Sequence, residues 1–326
     1  MKKTIKITCI VLALAFCFSA LFACGNTTSE IKIGILQYGS HPSLDNCYDG
    51  IIAGLEASSY AGKYSIDHQD GNFESTTCDT IAGNMVAKNY DLIFAIATPA
   101  ATSAYAAAAN TDIPVIFCAV SDPVSAKLVD SLEKSGGNCT GTSDILDFNA
   151  QVDLIKTLQP DVQKIGVLYT TSEANSVSQL AVLKEVATMK GIEIVEQGVQ
   201  VAADIPQAAA SLASKVDCIN NFTDNNVVNS LNVLLDKANS QGIPVYGSEV
   251  EQVKNGCIAS ISIDYVELGK VTANMAVEVL NGTDPATMAV GQITEGTPVV
   301  NTDVLKSFEI ALPDEYSGAE KVTTED

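Results

Sequence analysis

Nine short apolar or β-rich runs punctuate residues 31 to 263, at 31–37, 64–68, 91–97, 114–120, 164–169, 192–199, 216–222, 243–247 and 257–263. Segments with 3.6-residue periodicity fill most of the gaps, at 44–59, 75–88, 147–158, 174–190, 205–214 and 225–240. Strands joined through helices pair in parallel, and parallel sheets are covered by helices on both faces. The alternation therefore predicts an α/β chain with doubly wound parallel sheets.

The pattern also repeats itself. Lys32-Ile33-Gly34-Ile35-Leu36 returns as Lys164-Ile165-Gly166-Val167-Leu168. Lys88-Asn89-Tyr90-Asp91-Leu92-Ile93 is answered by Lys215-Val216-Asp217-Cys218-Ile219, and Asp112-Ile113-Pro114-Val115 by Gly242-Ile243-Pro244-Val245. Three echoes in one order predict two lobes of one topology, and the long period argues against a solenoid. The lobes are not simple halves. After Gly136-Gly137-Asn138, residues 139–142 look like a strand placed before the second copy begins, and a helix at 265–281 and two late strands, 297–303 and 308–312, follow its end. The expected division is 31–140 plus 264–290 for lobe 1, 141–263 plus 291–315 for lobe 2, and 316–326 as a flexible tail. Several chain crossings between lobes act as a hinge.

The N-terminus sets the compartment. Lys2, Lys3 and Lys6 precede a mostly apolar stretch at 8–23, too short for a comfortable membrane span and flanked like a secretory leader. Leu21-Phe22-Ala23-Cys24 resembles a bacterial lipobox, so cleavage before Cys24 and lipid on its sulfur are expected. Residues 24–30 are then a lipidated tether to the outer face of the cell membrane. The remaining chain carries 15 Lys, no Arg and 39 acidic residues, which excludes attraction to nucleic acid or to an anionic membrane surface. Cys47, Cys78, Cys118, Cys139, Cys218 and Cys257 are scattered with no C-x-x-C pair, so zinc is not expected. Export permits disulfides, yet Cys118 and Cys218 sit in apolar runs that suit buried thiols, and their pairing stays open.

In open parallel sheets ligands bind beyond the carboxyl ends of the strands. The first copy places Gln37-Tyr38-Gly39-Ser40, Thr98-Pro99-Ala100-Ala101-Thr102 and Ser121-Asp122-Pro123 there. The second places Thr170 to Ser176, Thr223-Asp224-Asn225 and Ser248-Glu249. Ser, Thr and Asp at these points also suit helix caps, and one residue can do both. Thr98 is expected to cap a helix with Pro99 at its first position. The small residues that follow leave backbone N–H groups uncovered as an anion site. With no arginine to clamp a carboxylate, backbone amides with Thr98, Thr102 or Ser176 are expected to hold it. Asp224 is the first candidate for a ligand ammonium, then Asp264, with Asp122 and Glu249 behind them. Tyr38, Phe222, Tyr246 and Tyr265 lie near strand ends and can belong to the core or to an aromatic slot.

Enzymatic motifs are missing. Only His41 and His68 occur, and His41, before Pro42, sits in a strand-end loop that can reach a cleft. No G-x-S-x-G elbow, P-loop or G-x-G-x-x-G is present, and Asp67 to Asn72 lacks calcium-loop spacing. Neither a cofactor, a metal nor catalysis is expected.

The stretches 33–37, 41–45, 91–101, 119–124, 136–144, 171–176, 223–225 and 263–269 together resemble the ABC transporter substrate-binding lipoproteins that include the tryptophan- and tyrosine-associated binding proteins. The resemblance covers nearly the whole exported chain. It implies a type I periplasmic-binding fold, capture of a small molecule between lobes, an aromatic amino acid as favoured solute, and delivery to ABC permease subunits. By motif match it puts Thr98, Ser121, Asp122, Ser172, Ala174, Asn175, Ser176, Thr223, Asp224, Asn225 and Asp264 at the cleft, beside Gln37, Tyr38, Ala100, Thr102 and Glu249 from the strand-end reading. Residues 38–40 and 220–222 depart from the family pattern near the side-chain pocket, so a nucleoside-like solute remains an alternative. A ligand-sensing module for a membrane receptor is the other.

Overall fold

The computed structural model describes residues 30–293 and 295–324. The expected leader, Cys24 and all of the tether but Glu30 lie outside the described residues. The first lobe runs β1 (Ile31–Gln37), α1 (Pro42–Glu56), β2 (Tyr64–Asp70), α2 (Ser75–Ala87), β3 (Leu92–Ile96), α3 (Thr98–Ala108), β4 (Val115–Cys118) and β5 (Cys139–Ser143). With β11 (Gly291–Gln292) these strands form a six-stranded sheet, order β11-β5-β4-β3-β1-β2, parallel at every pairing. β3 and β4 are buried along their whole length, as strands covered on both faces must be.

The second lobe runs α4 (Phe148–Leu158), β6 (Lys164–Thr170), α5 (Ala174–Met189), β7 (Glu193–Val199), α6 (Ile205–Ala213), β8 (Cys218–Asn220), α7 (Asn225–Asn229), α8 (Leu231–Asn239) and β9 (Val245–Tyr246). Its parallel sheet has the order β7-β6-β8-β9. After α9 (Val250–Lys254), β10 (Ala259–Ser262) pairs antiparallel with β12 (Thr297–Asn301), and β12 pairs parallel with β13 (Glu320–Val322). Gly247 donates its N–H to the Ala259 carbonyl and Ile258 to the Val245 carbonyl, which ties this small sheet to β9.

The echo is structural. β2-β1-β3-β4 and β7-β6-β8-β9 repeat one order. Each copy carries the same clamp: Lys32 N–H donates to the Asp91 carboxylate at 2.8 Å, and Lys164 N–H to the Asp217 carboxylate at 2.8 Å. The repeated Lys and Asp thus fix the lower edge of both central strand pairs.

The chain crosses between lobes from β5 to α4, from β10 to α10 (Tyr265–Leu280), and from β11 to β12. α10 returns to lobe 1 and packs on α1. That approach is closest at two glycines: a Cβ on Gly269 would lie 2.3 Å from the Cys47 carbonyl oxygen, and one on Gly50 2.1 Å from that of Val266.

The structure departs from the sequence reading in four places. β5 reaches Ser143 and β11 reaches Gln292 within the lobe 1 sheet, so the crossings fall a few residues later than expected. Residues 308–312 form no strand: the Asn301 side chain caps α11 (Thr302–Ser307), and Ile310 and Leu312 pack on the lobe 2 core as irregular chain. The last residues are not a free tail, because Glu320–Val322 finds a ladder partner in β12. The helix expected over 225–240 breaks at Ser230. All six cysteines among the described residues are free thiols and buried.

Candidate functional site

The strand-end loops of the two lobes touch. Gln179 of α5 donates to the Ser121 hydroxyl at 3.1 Å and to the Thr223 hydroxyl at 2.9 Å. Asn46 donates to Glu251 at 3.3 Å, the Ser178 hydroxyl to Asp122, and the His41 ring faces Asn225 Oδ1 at 3.4 Å. These contacts bring the lobes together over a small cavity lined from both sides.

Lobe 1 lines it with His41, Ser43, Leu44, Thr98, Ala119, Ser121, Asp144 and Tyr265. Lobe 2 contributes Asn175, Thr223, Asn225, Val228 and Glu249. The local folding reasons are plain. His41 is extended and Pro42 starts α1, so Ser43 and Leu44 occupy a first turn whose N–H groups have no intrahelical partner. Thr98 stands at the start of α3 after Ala97, whose φ of 76° belongs to the left-handed region. Ala119, after β4, repeats this at φ 56°. Non-glycine residues held there at two adjacent strand ends mark a strained, purpose-built rim.

Six cavity-lining residues each own a buried polar atom with no protein hydrogen-bond partner: His41 Nδ1, Ser43 Oγ, Thr98 Oγ1, Asp144 Oδ1, Asn175 Oδ1 and Glu249 Oε2. Buried polar groups are as a rule satisfied, at a cost of ~1–3 kcal/mol for each that is not; five others here, on Thr140, Gln159, Asn220, Asn221 and Tyr246, also lack a protein partner but are scattered away from this cavity. Six together approach the whole stability of a domain, ~5–15 kcal/mol, so the cavity is built around a polar occupant.

No lysine lines the cavity, while two carboxyls do. Burial raises the Asp144 carboxyl above the usual carboxylate range, against the pull of the Ser121 hydroxyl and the Tyr265 hydroxyl, which donates to it at 3.0 Å. Burial pushes Glu249 up to about 7, against the Ser43 hydroxyl and Gln252 amide nearby, with a further upward push from Asp144. Burial lowers His41 to about 4, so its ring is neutral at pH 7. Paired acids without a cation accept a ligand ammonium. The starts of α1 and α3, each with an unpartnered hydroxyl, suit a carboxylate.

Behind the wall lies Glu173. Its carboxylate accepts from Asn175 Nδ2 at 3.1 Å, from Asn225 Nδ2 at 2.6 Å and backbone N–H at 3.2 Å, and from both nitrogens of Asn226. Burial, then the neighbouring Asp224 charge, raises its carboxyl, and the Asn225 and Asn175 amides that donate to it oppose the rise.

Of the residues singled out from the sequence, His41, Thr98, Ser121, Asn175, Thr223, Asn225, Glu249 and Tyr265 meet at the cavity. The others do not line it. Gln37 bonds Gly39 and Asp45, and Tyr38 donates to the Phe73 carbonyl and packs edge-on to its ring. Ala100 is packed inside lobe 1 and Thr102 donates to the Thr98 carbonyl of its own helix. Asp122 accepts the Ser125 N–H, Ser172 and Ala174 are exposed, and Ser176 donates to Asp224. Asp264 is an exposed cap of α10. Asp224, the first candidate for the ammonium, is used up: its oxygens accept the Thr170 N–H and hydroxyl, the Ser176 hydroxyl and the Val227 N–H. Thr98 is not a cap either, because Ala97 takes that position and leaves the hydroxyl free for the cavity. Phe222 and Tyr246 belong to the lobe 2 core, and Tyr265 is the one of the four aromatics that reaches the cavity. Ser43, Leu44, Ala119, Asp144 and Val228 were missed. Ser43 and Leu44 were signalled by His41-Pro42 just before them, and Asp144 by its place after β5.

Comparison with known proteins agrees with this geometry. A sequence profile of the ABC transporter substrate binding proteins matches residues 32–322. The chain is 38% identical to the Tyrosine-binding protein of Clostridioides difficile, over 95% of this chain and 94% of that one. It superposes with a TM-score of 0.87 on an ABC domain from Streptococcus pneumonia in complex with L-Trp, 36% identical, covering 90% of this chain and all of the other. Against a ligand-free, open substrate binding protein with adhesive properties from Clostridium difficile, 37% identical with the same coverage, the TM-score falls to 0.69. Equal identity with unequal superposition matches the lobe contacts seen here: the lobes are closed. The echoed lobes, the triple crossing and the enclosed polar cavity thus have a common explanation, and the chain belongs to the ABC transporter substrate binding protein family.

Proposed function

We propose that the chain is the extracytoplasmic solute-binding lipoprotein of an ABC importer, which captures an L-amino acid, aromatic favoured, and hands it to the permease. The family binds solutes and does no chemistry on them, so the protein is not an enzyme. The observation that carries the amino-acid reading is the set of unpartnered atoms around one closed cavity: two carboxyls for an ammonium, and two helix starts with free hydroxyls for a carboxylate. Leu44, Val228 and the Tyr265 ring supply apolar wall for a side chain. The solutes of the two relatives, tyrosine and L-Trp, point the same way. The Leu21 to Cys24 motif supports a lipid anchor, and no helix among the described residues is long and apolar enough to cross a membrane.

Thermal denaturation with L-Trp, L-Tyr, L-Phe and nucleosides tests the reading. A ligand at a hundredfold its Kd stabilises by about 2.7 kcal/mol, a rise of several degrees for lobes of this size. A rise with an aromatic amino acid and none with nucleosides is expected; the reverse removes the amino-acid reading. Mass spectrometry of chain extracted from membranes, and its release by Cys24→Ala, tests the anchor.

A further inference from the structure

Glu173 lies behind the cavity wall and is absent from its lining. Five N–H groups point at its two oxygens, from the side chains of Asn175, Asn225 and Asn226 and the backbone of the last two. Each side-chain amide has a donor end and an acceptor end. Turning the Asn225 amide over would set its oxygen 2.6 Å from a carboxylate oxygen, acceptor against acceptor. The carboxylate therefore holds the Nδ2 end of Asn225, and Oδ1 is left to face His41 across the cleft at 3.4 Å. Facing an acceptor, the neutral His41 ring carries its proton on Nε2. Nδ1 is then a bare acceptor, buried and without a protein partner. Asn175 follows the same logic: Nδ2 is held by Glu173 and the Thr223 carbonyl, and Oδ1 is left unpartnered.

We propose that Glu173 is a positioning residue that sets the polarity of the cavity wall, so that His41 Nδ1 and Asn175 Oδ1 are fixed as acceptors and the site selects an amino acid whose side chain ends in an N–H or O–H donor. The inference rests on the amino-acid reading above. An ammonium has three N–H groups. Asp144 Oδ1, Glu249 Oε2, Asn175 Oδ1 and His41 Nδ1 make four acceptors, one more than it can serve, while the hydroxyls of Ser43 and Thr98 go to the carboxylate. The remaining acceptor needs a donor from the side chain. An indole or phenol supplies one; a phenyl ring does not, and leaves a buried acceptor unpaired. Sites built to bond such a group discriminate strongly against the analogue that lacks it.

The experiment compares wild type, Glu173→Gln, Glu173→Asp and His41→Phe by calorimetric titration with L-Trp, L-Tyr and L-Phe. Side-chain amide resonances of Asn175 and Asn225 are recorded alongside in ligand-free protein. Wild type is expected to prefer L-Trp or L-Tyr to L-Phe at least tenfold. Glu173→Gln, which can donate as well as accept, shrinks that ratio at least tenfold and moves both amide resonances. Glu173→Asp keeps part of the ratio. His41→Phe retains a ring to stack on Phe73 and does not depend on the buried network surviving; it lowers affinity for the donor-bearing amino acids and spares L-Phe. A ratio unchanged in folded Glu173→Gln, or unchanged in His41→Phe, overturns the proposal. Moved resonances with no binding of any amino acid to wild type confirm the amide clamp but overturn the selectivity, and that outcome removes the functional reading itself.

Discussion

Ser121 and Thr223 close the cleft face to face, their hydroxyl oxygens 3.4 Å apart, one from each copy of the duplicated lobe. Gln179 bridges them, donating to both and accepting the Thr223 hydroxyl at 3.1 Å. Once the lobes part, Ser121 loses both partners, while Thr223 keeps only Gln179, its neighbour in the same lobe. Gln179→Leu should therefore bias the protein open. Affinity for the solute is expected to fall about tenfold, roughly 1.4 kcal/mol, while lobe stability changes little. Calorimetry gives the affinity, and small-angle scattering of the ligand-bound protein gives the fraction closed; unchanged values in both would show that the bridge contributes nothing to closure.

Asp224 and Asp144 are both buried acids near the cleft, and they should fail in opposite ways. Asp224 caps α7 and ties it to the end of β6 through Thr170 and to the first turn of α5 through Ser176. Asp224→Ala strands those donors, so a loss of about 2–4 kcal/mol of stability is expected. Asp144→Asn keeps an acceptor for the Tyr265 hydroxyl and removes the charge that faces the solute. Stability should hold while affinity drops at least tenfold. Urea unfolding and titration of the two variants separate the roles, and the assignment fails if Asp144→Asn unfolds the protein or leaves affinity intact.

The contrast between those two acids also measures what the sequence could tell. The duplication was legible because strand cores obey local rules: an apolar run between helical periods needs no tertiary knowledge, and the Lys32–Asp91 and Lys164–Asp217 clamps repeat in the sequence as they do in space. Which strand ends carry the site was legible too, since parallel sheets leave only one edge for it. The role of each side chain there was not. Asp224 and Asn225 are neighbours in the chain, yet one turns into the lobe and the other out to the cleft, because α7 starts between them. Asp144 closes a strand whose lobe is settled only by the sheet it joins. Residues 308–312 read as a strand because their apolar side chains do pack, but α11 uses up the turn that would have aligned them with a partner.

Gly269 and Gly50 let α10 lie on α1, and α1 is the helix whose first turn lines the cavity. A methyl group on Gly269 would press on the Cys47 carbonyl and on Gly50 itself, at 2.3 and 2.9 Å. Both neighbours are backbone, so neither can rotate away. Gly269→Ala is expected to cost about 1–3 kcal/mol or more as an overpacked contact, and to shift the start of α1 enough to weaken solute binding. Gly282→Ala, with open space around its Cβ but φ of 100°, is the control: it should lose stability through backbone strain alone and leave affinity untouched. Equal affinities in both variants would uncouple the α1–α10 contact from the site.

The pH response should follow Glu249. Its carboxyl is pushed up to about 7 in the folded protein by burial, above the ordinary glutamate value it has when unfolded. Between that ordinary value and about 7 the folded state holds a proton that the unfolded state has lost. Without solute, this group therefore makes folding more favourable as pH falls through the window, and its penalty is complete above about 7. Solute reverses the preference, because an ammonium in the cavity stabilises the ionised carboxyl. Binding must then expel the proton wherever the free protein still holds it. Affinity for the amino acid is expected to fall as pH drops below about 7, approaching tenfold per pH unit, with protons released on binding. Titration in buffers of different ionisation enthalpy counts those protons. Glu249→Gln should bind more weakly at pH 8 and show little further change down to pH 6. His41, held near 4, stays neutral throughout that range and leaves the response to the carboxyls. An affinity that is level from pH 8 to 6 in the wild type would mean that the solute's cation does not sit against Glu249.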